Sequence, residues 1–255
     1  MTSTTDTIAR LRAEIRRLEC SRAMLGDQRI SSGCEALDAL FPGGGVRRGS
    51  LVEWLRGGVG SGAATLALHY ARQACRQGTS LVVVDRLRQV YPPALAGWGI
   101  DLAQVILVHP RDVREELWAW DQSLRCAAVG AVWGEIERID GRSFRRLQLA
   151  VEDSGGVGLL LRPLRARIEP TWADVRLLVQ PCGGQQVRRL SVHLLSTRGS
   201  AARGTVSLEL DEWSGRLQKA RDLHETRTGN LAASLARTTA DRRATGTYGS
   251  SVDPV

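Results

Sequence analysis

Residues 50–76, SLVEWLRGGVGSGAATLALHYARQACR, restrict the fold of this chain more than any other stretch. An apolar run of strand length, residues 50–55, enters a loop with glycines at 57, 58, 60 and 62. From Thr65 to about residue 76 the chain reads as a helix, with Leu66, Leu68, Tyr70 and Ala74 available for packing. Strand, glycine loop and helix together form the unit that turns backbone amides and a helix N-terminus toward a phosphate. Gly57 and Gly62 keep the spacing of the phosphate loop GxxxxGK[ST], but Ala63 takes the place of the lysine and Ala64 that of the magnesium-binding hydroxyl. The vestigial loop therefore comprises Gly57, Gly58, Gly60, Ser61, Gly62 and Thr65, and Thr65 comes one residue late, about 100° round the helix from the lost position. Positioning and charge neutralisation supply nearly all the catalysis of phosphoryl transfer. No cofactor is expected at such a loop; weak binding of ATP or an anion is compatible with it, and hydrolysis is not. No cofactor, metal ligand or catalytic residue is assigned. Asp85 and Glu135 stand near the places of the water-polarising and magnesium-holding acids, and strand-end polar residues account for both.

The rest of the chain continues the alternation. The buried run TSLVVVD, the strand VILVHP after a helical YPPALAGWGID, the helix REELWAWDQSLRCA, the strand VGAVW, the helix GRSFRRLQLAVEDSG and the strand VGLLLRP follow in order. This pattern predicts an α/β domain with a mostly parallel central sheet flanked by helices. After Pro163 the texture changes: ADVRLLVQP, VRRLSVHLLSTRG and GTVSLELDEWSGRLQ read as three strands with short connections, one at Gly183 and Gly184, so antiparallel strands extend one edge of the sheet. Three segments result: an N-terminal amphipathic helix over 1–27, a core over 28–220 and a tail over 221–255. The tail is expected to be disordered because it is poor in large apolar residues.

Charge bounds the partners. The 255 residues carry 35 Lys and Arg against 27 Asp and Glu, a net +8, and Lys219 is the lone lysine. A basic surface favours nucleic acid or acidic proteins. The candidate DNA or partner contacts are Arg10, Arg12, Arg16 and Arg17, then Arg142, Arg145 and Arg146, then Arg162, Arg165 and Arg167. Aromatics are not interleaved with these clusters as a stacking platform for single strands requires. Trp118 and Trp120 cannot both face inward on one helix, so one is expected to be free as an interface anchor, whereas Trp98, Trp133 and Trp172 read as packing residues. Five scattered cysteines form no CxxC pair, which argues against a disulfide framework or zinc site. No apolar run reaches about 18 residues, so a cytoplasmic protein without membrane contact is expected.

The segment ISSGCEALDALFPGGGVRRGSLVEWLRGGVGSGAATLALHYARQACRQGTSLVVVD resembles the RecA core, whose lead-in motif precedes a strand, the phosphate loop, a helix and a strand ending in Asp. YPPALAGWGIDLAQVILVHP continues that likeness, which spans roughly residues 28–180 and implies a RecA-like phosphate-loop fold. RPLRARIEPTWADV leaves little room for the second DNA-gripping loop. With the degraded loop, an arginine-rich N-terminal segment and a tryptophan-rich body, the chain is similar to the ImuA family. That resemblance implies a non-catalytic adaptor of SOS-induced mutagenic translesion synthesis. Its partners would be an ImuB-like inactive Y-family protein, possible RecA, and indirectly an error-prone DNA polymerase III alpha-type subunit. Weak DNA contact, a homo-oligomer and association with the nucleoid within the complex are compatible with it. The alternatives are a divergent ATP-dependent RecA paralogue or recombinase and a SulA-type cell-division inhibitor.

Overall fold

The computed structural model describes residues 28–75, 78–182, 188–211 and 215–220. The expected N-terminal helix, the Gly183–Gly184 turn and the tail lie outside these residues. Contacts divide the chain into Met1–Lys219 and Ala220–Val255, and the architecture below is that of the first unit.

A short antiparallel pair, β1 (Arg29–Ile30) and β2 (Val46–Arg47), brackets the helical turn α1 (Glu35–Asp38). There follow β3 (Ser50–Arg56), α2 (Ala63–Ala74), β4 (Ser80–Val84), α3 (Pro92–Gly97), β5 (Val105–Val108), α4 (Val113–Arg125), β6 (Val129–Glu135), α5 (Gly141–Ser154) and β7 (Val157–Pro163). The last strands are β8 (Val175–Cys182), β9 (Arg188–Thr197), β10 (Gly204–Leu210) and β11 (Leu217–Lys219). Nine strands form one sheet in the order β11-β10-β9-β8-β3-β7-β6-β4-β5. The six strands from β8 through β5 are parallel, and β9, β10 and β11 extend them antiparallel. The third expected strand is in fact two, because the chain reverses between Asp211 and Gly215, where Gly215 has φ +65° and the Asp211 amide donates to the Arg216 carbonyl.

The central strands are apolar on both sides, as strands covered by helices on each face must be. Val52 and Trp54 of β3, Leu81 and Val83 of β4, Ala131 and Trp133 of β6, and Leu159 and Leu161 of β7 pack with the buried side of α2. Their alternate neighbours Leu51, Val82, Val132 and Leu160 pack with Trp120 and Leu124 of α4 and Phe144 and Leu147 of α5. Asp112 and Asp140 cap α4 and α5 by accepting backbone N–H bonds from Glu115 and from Arg142 and Ser143. All of this holds the carboxyl ends of β3, β4, β6 and β7 at one edge of the sheet, the place where open α/β sheets form their crevices.

Candidate functional site

β3 delivers the chain to Arg56, residues 57–62 turn, and α2 begins at Ala63. The Gly57 amide donates to the Val179 carbonyl of β8 at 2.8 Å, and a Cβ at Gly57 would lie 2.7 Å from that oxygen. Gly62 sits at φ +78° against Leu190 of β9, with no room for a side chain. Ser61, Gly62 and Ala63 are buried, whereas 58–60 are exposed. Several polar groups of the loop are engaged within the protein. The Ser61 amide donates to the Gly58 carbonyl at 3.3 Å, the Ala63 amide to Ser61 Oγ at 3.5 Å, and Arg188 Nη2 to the Gly60 carbonyl at 2.8 Å. Thr65 is buried.

The two acids considered for catalysis are also held. Asp85 accepts the Gln89 amide on one carboxylate oxygen at 3.0 Å and the Val90 amide on the other at 2.8 Å, closing the turn that follows β4. Glu135 pairs with Arg56. Burial raises the Glu135 carboxyl above the ordinary range, opposed by the Arg56 guanidinium and reinforced by Glu137. Glu116 of α4, paired with Arg86 at 3.3 Å, is raised in the same way, first by burial and further by Glu135 and Glu137, while Arg86 opposes. These residues do not fit a magnesium–nucleoside triphosphate, because methyl groups stand at the lysine and hydroxyl positions. Among the described residues no group of three or more His, Cys, Asp and Glu side chains is placed to hold a metal ion.

Beside the loop lies a cavity of about 350 Å³, bounded by the ends of β3, β4, β6 and β7, by α3, by one side of α2 and by Glu116 of α4. Ala64 and Leu68, four residues apart on α2, form a wall with Leu95, Trp98, Trp133 and Leu161. The position that would carry the magnesium-binding hydroxyl has thus become apolar lining. No local motif in the sequence marks this cavity. The available signal was the Ala64 and Leu68 pair on one helix face, opposite a tryptophan in the strand VGAVW.

The structure separates the basic candidates. Arg162 is fully buried and is not a surface contact: its Nη1 bonds Glu53 Oε1 at 3.0 Å and its Nη2 bonds Glu169 Oε2 at 2.7 Å. The reason is the register. Glu53 of β3, Arg162 of β7 and Arg176 of β8 occupy the same sheet face, and a carboxylate with no solvent contact requires charged partners. Arg145 is half-buried, its guanidinium 5.0 Å from the centroid of the Trp172 ring. Trp172 is 44% exposed, so it is not a packing residue, and an aromatic does accompany this arginine cluster. Arg142 and Arg167 are exposed, Arg146 pairs with Asp121 at 3.3 Å, and Arg165 pairs with Glu137 at 3.5 Å. Arg10, Arg12, Arg16 and Arg17 fall outside the described residues. Trp120 is fully buried and Trp118 is 62% exposed, as the helix periodicity requires; Trp133 is buried and Trp98 half-buried.

No family model matches the chain. It is similar to protein ImuA of Caulobacter vibrioides, with 34% identity over 145 residues that cover 54% of this chain and 59% of that protein. It is also similar to RecA of Rubrobacter xylanophilus, with 29% identity over 161 residues, 54% of this chain and 46% of that one. The chain spans about half the length of these curated relatives. Among solved structures, the RadB recombinase superposes with a TM-score of 0.60 at 18% identity, covering 75% of this chain and all of the RadB chain. The fold is RecA-like, and the sequence resembles both ImuA and RecA proteins. No helix among the described residues is long and apolar enough to cross a membrane.

Proposed function

We propose that this chain is a non-catalytic RecA-like adaptor of the ImuA type. In this reading it serves a damage-induced, mutagenic translesion synthesis machinery by binding an ImuB-like inactive Y-family protein. An error-prone polymerase III alpha-type subunit joins through that partner, and RecA is a further partner. What carries the reading is the contrast between a retained RecA-like core and a phosphate site whose lysine and hydroxyl positions are Ala63 and Ala64. Relatives that hydrolyse ATP need those two groups to neutralise developing charge. The helix N-terminus that remains contributes on the order of 0.3–1 kcal/mol toward an anion, enough for weak ATP or phosphate binding at most. The exposed Trp118 and the half-exposed Trp172 with its arginine offer anchors of the kind that dominate protein interfaces.

The experiment is co-expression of the full chain with an ImuB-like protein and affinity capture in nucleotide-free buffer. Co-purification that apyrase treatment leaves unchanged supports the adaptor reading. Capture only in the presence of ATP and magnesium, or no capture at all, contradicts it.

A further inference from the structure

The cavity beside the vestigial loop combines an apolar wall with a lining that carries more acid than base. Its walls are apolar: Ala64, Leu68, Leu95, Trp98, Trp133 and Leu161. Its charged lining is net acidic: Asp85, Glu116, Glu135 and Glu137 stand with Arg56 and Arg86, which pair with Glu135 and Glu116, and Arg165 from outside the lining reaches Glu137 at 3.5 Å. Carboxylates crowded beside a low-dielectric wall repel a triphosphate and attract a cation. The volume of about 350 Å³ is at the small end for ligand cavities and has room for one large side chain. The apolar surface also continues outward. Leu87 and Tyr91 line the cavity yet are 51% and 69% exposed, forming a shoulder over which a polypeptide backbone could lie.

From these observations we infer that the cavity is a docking hole for a partner protein, receiving a large apolar side chain flanked in sequence by arginine or lysine. The apolar side chain enters between α2 and Trp133, and the flanking cation meets Glu135 and Glu137 in competition with their partners Arg56 and Arg165. This assignment rests on the adaptor reading, because an active nucleotide site would place phosphate at the same wall.

The test uses the full chain labelled with ¹⁵N and two capped tripeptides, arginine-tryptophan-arginine and glutamate-tryptophan-glutamate, titrated while the indole N–H signals of Trp98 and Trp133 are followed. The basic peptide is expected to shift those signals and to bind at least tenfold more tightly than the acidic one. Ala64→Phe, which fills the cavity from a half-exposed helix position, should abolish the shifts. If that variant does not fold, Tyr91→Ala and Glu137→Gln, both at exposed positions, should each weaken the basic peptide at least threefold. Equal affinity for the two peptides, or shifts confined to other tryptophans, would overturn the inference. A third titration, ATP with magnesium, separates the two claims. If ATP with magnesium shifts Trp98 and Trp133 with micromolar affinity, both the inference and the adaptor reading fail; if the basic peptide shifts neither, and ATP does not bind with such affinity, the inference alone falls.

Discussion

The change Glu53→Gln tests the reassignment of Arg162 from surface contact to internal ion network. Glu53 has no solvent exposure. It accepts from Arg162 Nη1 at 3.0 Å, Arg176 Nε at 2.5 Å, Arg176 Nη2 at 3.2 Å and Thr171 Oγ1 at 2.8 Å. Glutamine preserves the shape and removes the charge, leaving two guanidinium groups buried against a neutral amide. Removing one partner of a buried ion pair costs about 3–5 kcal/mol. Arg162 retains Glu169 at 2.7 Å, and Arg176 retains the carbonyls of Arg167 and Glu169, so the expected loss is near the lower bound, about 3 kcal/mol. That is a large share of the 5–15 kcal/mol typical of a folded domain. Arg162→Met should cost less, because Glu53 keeps Arg176 and Thr171. Urea denaturation followed by tryptophan fluorescence measures both variants at a common slope. A loss below about 0.5 kcal/mol for Glu53→Gln, the scale of an ordinary surface change, would refute the network. So would an Arg162→Met variant of unchanged stability that had lost DNA affinity.

Two further predictions concern the helix that follows the loop. Burial, with the Arg72 guanidinium nearby, lowers His69 from 6.5 to about 4, opposed by a hydrogen bond to the Gly215 backbone. Between those values the unfolded chain binds a proton that the folded chain refuses, so stability falls as pH drops from about 6.5 to 4. The full loss is about 3 kcal/mol, and His69→Gln should flatten that slope in denaturation at a series of pH values; an unchanged slope would contradict it. Gly62→Ala places a Cβ 2.5 Å from Leu190 Cδ1 at φ +78°, so left-handed strain and overpacking together should remove about 2–4 kcal/mol. A denaturation midpoint like that of the unaltered protein would show that β9 yields easily there.

Periodicity carried most of the architecture. The run TSLVVVD and the alternation of VGAVW with amphipathic helices can be built only as a covered parallel sheet, and the sheet contains them so. The phosphate-loop positions were legible because a spacing of glycines is a local property. Partners brought together by sheet register were not. Glu53, Arg162 and Arg176 are distant in sequence, and each alone resembles a surface charge; only the order β7-β3-β8 sets them side by side. A clue existed, since each interrupts an apolar strand of the kind that is buried on both faces. The cavity escaped for the same reason, being assembled from four strand ends and three helices, and so did the stacking of Arg145 on Trp172, which are 27 residues apart in sequence.

Titration calorimetry of the full chain with ATP, with and without magnesium, bears most directly on the idea of a RecA-like core whose phosphate site has been dismantled. The account predicts no magnesium-dependent binding tighter than about 1 mM, an interaction of roughly −4 kcal/mol. Micromolar binding that needs magnesium and disappears in Asp85→Asn or Glu135→Gln would contradict it.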